Sequence, residues 1–194
     1  MSKQQQNGEK RISRLGTKAV RVNITFRNTA GAINGQAVAM RRDAHLSAFY
    51  YCSFEAYQDT LYTHSMRQFY RNCDIYGTVD FIFGNAAVVL QQCNIYPRFP
   101  LPGQYNTITG QGRTDINQNT GTSIHNCAIT AASGLAASNG TAETYLGRPW
   151  KQYSRTVYLQ SFMDSLIDPA PLPWTPFIMQ SLIIGDQDLT QVTE

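Results

Sequence analysis

Two aspartates stand in similar settings 21 residues apart: Asp59 in YQDTLY (57–62) and Asp80 in YGTVDFIFG (76–84). Each is a lone carboxylate among apolar and aromatic neighbours, and a buried carboxylate is costly without a partner or a purpose. Two glutamines, Gln36 and Gln58, are spaced almost the same way, 22 residues apart. If the chain repeats with a period near 21, the aspartates land one above the other, and so do the glutamines. Carboxylates stacked that closely cannot both ionise freely, so their pKa values separate and one becomes an acid while the other becomes a base or nucleophile. Such a pair titrates as a coupled unit. The competing interpretation is a satisfied polar ladder inside a solenoid. Two Asp and two Gln in register, flanked by Tyr62 and Phe83, favour a site.

The elements that must hold these residues come from a repeat. The segments VRVNITFRN, FYYCSFEAY, FYRNCDIYG, VLQQCNIYP, SIHNCAITA and VYLQSFMDS share a shape: a short alternating or apolar stretch, then Asn, Cys or Ser, then an apolar residue two places on. The shared positions are Asn23, Cys52, Cys73, Cys93, Cys127 and Ser161, at spacings of 29, 21, 20, 34 and 34. A minimum near 20 with longer intervals fits a solenoid with variable loops. No helical periodicity runs through these windows, and their β-branched, aromatic and Asn content predicts an all-β fold, a right-handed parallel β-helix with a cleft on one face. A β-sandwich is the competing architecture.

Composition agrees with short strands and tight turns: of 194 residues only 15% are charged, with 11 Tyr, 9 Phe and 14 Gly. A net charge of +3 gives no argument for nucleic acid, and no apolar run approaches the roughly 20 residues that span a bilayer. Four cysteines without CxxC pairs or clustered histidines predict no metal site. His45, His64 and His125 are scattered and are expected to be structural or surface residues. Asn23 and Asn139 head N-x-T sequons; Asn23 falls in a column expected to face inward, and Asn139 in a loop. Residues 1–14, MSKQQQNGEKRISR, are polar and charged and are not expected to serve as a secretory signal.

Five stretches, GQAVAMR (35–41), YQDTLY, GTVDFIFGNAAVV (77–89), QGRTD (111–115) and LGRPWKQYSRTV (146–157), resemble the plant pectin methylesterases in order and approximate spacing. The resemblance covers 18–170, divides the chain into a polar segment 1–17, a partial β-helix domain 18–170 and an atypical tail 171–194, and implies the same right-handed β-helix. The family begins further upstream and continues differently after SFMDSLIDPA, so an N-terminally truncated member with an altered C-terminus is expected. The implied reaction is hydrolysis of methyl esters on homogalacturonan, giving pectate and methanol without metal or cofactor. By motif position Asp80 is the nucleophile and Asp59 the general acid and base. Gln58 and Gln36 donate to the oxyanion, and Arg148 holds Asp80 by a charge-assisted pair. Gln36, Tyr62, Phe83, Arg148 and Trp150 match substrate-binding positions, whereas Phe81, on the opposite alternation, is expected in the core. Cys73 and Cys93 match a pair that is often disulfide-linked in the family, with Cys52 in the same column and Cys127 without a motif-based partner. The resemblance further implies pectin and a proteinaceous pectinesterase inhibitor as partners, a monomer, and an extracellular cell-wall location. The alternatives are another β-helix pectin enzyme, a polygalacturonase or a lyase, and a truncated, catalytically defective relative that at most binds pectin.

Overall fold

The computed structural model describes residues 19–138, 142–169, 180–184 and 189–190. Asn139, in the second sequon, lies outside the described residues, as do the polar segment 1–17 and parts of the segment beyond 170. The chain coils so that successive strands fall in turn on three sheets, and each strand from Ala19–Val22 to Ala128–Ile129 pairs in parallel with the strand three places on. The first sheet stacks Ala19–Val22, Ser47–Tyr50, Arg67–Arg71, Ala87–Gln91, Gly121–His125, Arg155–Leu159 and Gln180–Ile184, ending in an antiparallel strand Leu189–Thr190. The second stacks Thr25–Arg27, Ser53–Glu55, Asp74–Gly77, Asn94–Pro97, Ala128–Ile129 and Phe162–Met163. The third stacks Met40–Arg42, Leu61–Thr63, Ile82–Gly84, Asn106–Gln111 and Thr144–Pro149. This is the right-handed parallel β-helix that the repeat predicts.

The core is built from columns rather than from a mixed cluster. Phe49, Tyr70, Leu90, Ile124 and Tyr158 are aligned by the register of the first sheet. Phe26, Phe54, Ile75, Ile95, Ile129 and Met163 are aligned by that of the second. Like side chains then stack on like: Phe49 on Tyr70 at 4.9 Å and Phe26 on Phe54 at 5.3 Å, each pair nearly coplanar. Such pairs add about 1 kcal/mol each to the burial of the rings themselves. Phe81 is fully buried in this core, as its alternation predicts.

The cysteine column marks the corner between the first and second sheets, and its chemistry explains its composition. Tyr51, Asn72, Gln92, Asn126 and Gln160 each take a positive φ between 47° and 53° immediately before Cys52, Cys73, Cys93, Cys127 and Ser161. The thiol or hydroxyl then donates to the carbonyl two residues back and to one in the preceding coil, as Cys73 does to Arg71 and Phe49 and Ser161 to Leu159 and Ile124. A small side chain carrying one weak donor fits there. All four cysteines are buried free thiols, Cys73 and Cys93 included, and the Cys93 thiol touches those of both Cys73 and Cys127. Asn23 is not in this column. The register pairs Val22 with Tyr50, which puts Asn23 at the left-handed turn position (φ 54°) and exposed, and gives the column place to Ile24. The expectation that Asn23 faces inward is therefore corrected.

Candidate active site

The third sheet lines up one outward row, Arg41, Tyr62, Phe83, Gly110 and Arg148, strand by strand. Asp59 and Asp80 each lie two residues ahead of equivalent strands in this sheet, and the register of 21 that pairs Leu61 with Ile82 stacks them. Both adopt left-handed backbone conformations, φ 63° and 49°. Aspartate tolerates this region better than most residues, and such concentrated strain is commonly found where function holds it. The turn swings each carboxylate out of the strand alternation while Phe81 goes into the core.

Each carboxylate is anchored differently. The Asp80 amide donates to Thr107 Oγ1 at 2.8 Å, and that hydroxyl donates back to Asp80 Oδ1 at 2.8 Å. Arg148 reaches the same group with Nε at 2.8 Å and 2.9 Å from the two oxygens and Nη2 at 2.5 Å from Oδ2. A forked guanidinium on a carboxylate fixes its orientation as well as its charge. This pairing in turn holds the Arg148 pKa above its ordinary value. Asp59 has no such partner among the described residues. Its amide donates to Val79 O at 3.0 Å, but its carboxyl is buried, and burial first and the Asp80 charge second push its pKa up to about 7, with Arg148 pulling the other way. The two carboxyls thus sit in different settings, Asp80 on a guanidinium fork and Asp59 buried.

The glutamines reach one level through a bulge. The amides of Ala39 and Met40 both donate to Thr60 O, at 2.9 Å and 3.2 Å, so the offset of 21 on the strand becomes 22 before it. Ala37 N then donates to Gln58 O at 3.1 Å, which sets Gln36 beside Gln58. Gln58 is half-buried and Gln36 exposed. The aromatic residues form a continuous wall. Tyr62 stacks on Phe83 at 4.3 Å and 12°, and Trp150 meets both edge-on at 6.4 Å and 6.0 Å while staying 43% exposed.

Two contributors are not apparent from the sequence pattern. Thr107 and Gly110 lie one coil beyond Asp80 and Phe83, both at a spacing of 27, because the segment 98–105 lengthens that coil. Neither belongs to a stretch that looks like chemistry.

Comparison with known proteins agrees with this fold. The family model described as Pectinesterase matches residues 6–186. A probable pectinesterase/pectinesterase inhibitor of Arabidopsis thaliana is 71% identical over 150 residues, 77% of this chain and 26% of that one. Pectinesterase 2 of Citrus sinensis is 64% identical over 159 residues, 82% of this chain and 31% of that one. The solved pectin methylesterase from carrot superposes with a TM-score of 0.80 at 52% identity, over 86% of this chain and 55% of that one. The chain thus spans about a quarter to a third of the curated relatives it matches and about half of the solved enzyme. With the match running through nearly all of its coils and through the carboxylates they stack, the chain belongs to the pectinesterase family.

Proposed function

We propose that the chain hydrolyses methyl esters of homogalacturonan, and the observation that carries this is the unequal carboxyl pair: Asp80 clamped by Arg148 beside a buried Asp59 whose pKa is pushed up to about 7. A carboxylate oxygen of Asp80 attacks the ester carbonyl carbon. As the carbon–methoxy bond breaks, Asp59 gives its proton to the departing oxygen, releasing methanol and leaving an acyl anhydride on Asp80. Asp59, now ionised, takes a proton from water as its oxygen attacks the same carbon. The bond to Asp80 breaks, the product leaves as a uronic acid that gives its proton to water, and both aspartates return to their starting states. The side-chain amides of Gln36 and Gln58 have no protein hydrogen-bond partner among the described residues, which leaves them free to donate to the oxyanion. Tyr62, Phe83 and Trp150 offer flat faces for sugar rings, with Arg148 and Gln36 as polar contacts.

On this reading the partner is pectin, the setting the cell wall outside the cell, and a proteinaceous pectinesterase inhibitor a further partner, with the chain acting as a monomer. The test is methanol release from highly methylated pectin, assayed together with unsaturated and reducing ends. Methanol alone supports the esterase. Chain cleavage products point instead to a lyase or polygalacturonase, and no release from a cooperatively folded protein points to the defective relative.

Gly110 supplies a finer check. A Cβ at that position would lie 3.1 Å from Asp80 Cγ and 3.3 Å from its Oδ1, tighter than ordinary contact. Gly110→Ala is expected to push the carboxylate off the Arg148 fork and lower methanol release about 100-fold, the scale of a small misplacement of a reacting group. Circular dichroism should show the β-helix unchanged. Activity within about threefold of wild type would mean that the clamp has slack.

A further inference from the structure

The outward face of the first sheet takes no part in the carboxylate chemistry, yet it is neither polar nor neutral. Its register sets Val20, Ala48, Phe69, Val89, Ser123 and Val157 in one column. Val20 is 67% exposed, and Phe69 and Val89 are 37% exposed each. A contiguous apolar stripe open to water marks a surface that something covers. The column beside it runs Arg67, Ala87, Gly121 and Arg155, so two arginines stand three strands apart, about 14 Å at the usual strand spacing, over a floor of Ala and Gly. The result is a groove of about 610 Å³. A Cβ on Gly121 would come 3.1 Å from Arg155 Nε, so the glycine lets this side chain lie across the floor. Arg155 Nη2 donates to Thr120 O at 2.7 Å, and Arg67 Nη2 lies 2.9 Å from His45 Nε2. These contacts fix both guanidiniums at the rim and leave each with further N–H donors. Neither forms an ion pair among the described residues. Arg71 is exposed on the other side of the stripe, and the six strands from Ala19–Val22 to Arg155–Leu159 contain no acidic residue.

We infer that this groove is a second polymer-binding surface, on a different sheet from the carboxylate pair, and that its occupant is a de-esterified, polyanionic stretch of homogalacturonan. The inference rests on the esterase reading, which makes that polyanion the protein's own product. Charge complementarity carries the choice of occupant. A uronate chain offers C–H faces to the Phe69–Val89 stripe and carboxylates to Arg67, Arg71 and Arg155, and a planar guanidinium pairs with a carboxylate as it does not with a neutral ester. The shape of the floor agrees. Ala48, Val89, Ser123 and Val157 are small and make a shallow surface on which a sugar ring lies flat, with none of the deep pockets that anchor the large side chains of a protein partner. A product stretch held on the first sheet keeps the rest of the polymer near the third, raising the effective concentration of its remaining esters at Asp80.

The test is calorimetric titration of a fully acidic oligogalacturonide, which has no ester to turn over, into the unmutated protein and into the double variant Arg67→Gln/Arg155→Gln. Affinity is expected to fall about tenfold at low ionic strength, the scale of lost charge-assisted hydrogen bonds at a partly exposed site, and the difference to shrink as salt is added. Arg67→Lys/Arg155→Lys should recover part of it. Methanol release from a short esterified oligomer is expected to stay unchanged in both double variants, which shows that the coils and the third sheet are intact. Equal affinity of the glutamine variant for the acidic oligomer overturns the inference, since all binding would then lie elsewhere. Polyglutamate of equal charge that binds as tightly overturns it in favour of an acidic protein segment. An unmutated protein that does not bind the acidic oligomer overturns it however the variants fold. Failure of the esterase reading shows separately, as absent methanol release from methylated pectin by the unmutated protein.

Discussion

Asp80→Ala abolishes methanol release, with an expected loss of at least about 10⁴-fold, because no other carboxylate among the described residues of the cleft is held in the same way to attack a carbonyl. The argument is geometric. Three hydrogen bonds from Arg148 and one from Thr107 converge on the two carboxylate oxygens. That arrangement fixes the carboxylate beside Gly110, in the row that carries Tyr62 and Phe83. Asp80→Asn is the sharper variant. It keeps the volume and tolerates the left-handed backbone at φ 49°, so the strained turn survives while the anion is lost. Arg148 is then left without its counter-charge, and its 38% exposed side chain relaxes toward water instead of unfolding the coil. Equal inactivity of the Ala and Asn variants, with thermal melts like that of the wild type, assigns the loss to chemistry. Retention of more than about a tenth of the wild-type rate by the Asn variant would remove Asp80 as the nucleophile.

The stacking that this mechanism needs could be seen in the sequence because two coils happen to be short. A spacing of 21 between Asp59 and Asp80 is one turn of the solenoid, and Cys73 and Cys93 repeat it at 20. The same rule misplaces Asn23. The left-handed corner accepts Asn as well as Tyr and Gln, so residue type matched the pattern while the register was one place off. The glutamines show the reverse case: their spacing of 22 departs from the strand register of 21, and the bulge at Ala39 and Met40 makes up the difference. Thr107 and Gly110 were hidden because the coil that carries them has a longer loop, which breaks the period just where they join Asp80. Arg148 lies 68 residues from Asp80, beyond any short period, and only the LGRPW resemblance pointed to it. Periodicity therefore reveals what lies within one short coil and loses what arrives across a long one.

Asp59 carries the second large prediction, in which function opposes stability. A buried carboxyl held at about 7 instead of 3.8 costs on the order of 4 kcal/mol to ionise in the folded chain relative to the unfolded one. The folded state retains its proton where the unfolded state has lost it. The stability that Asp59 contributes is thus complete below about pH 3.8, declines as the pH rises, and is gone above about 7. Asp59→Asn removes the titration and keeps a residue that accepts φ 63°. In urea unfolding it is expected to exceed the wild type by a few kcal/mol at pH 8, with the gap shrinking toward zero at pH 4. The same substitution removes the proton donor for methoxide and the base for water, so turnover falls by about 10³-fold or more. In the wild type, kcat/KM should show an alkaline limb near pH 7, since the free enzyme must enter the reaction with Asp59 protonated. The limb in kcat should move higher, because bound polymer excludes water and makes the charged form costlier still. A stability gap independent of pH would mean that Asp59 is not the buried acid. So would a limb that stays near 7 in the Asn variant.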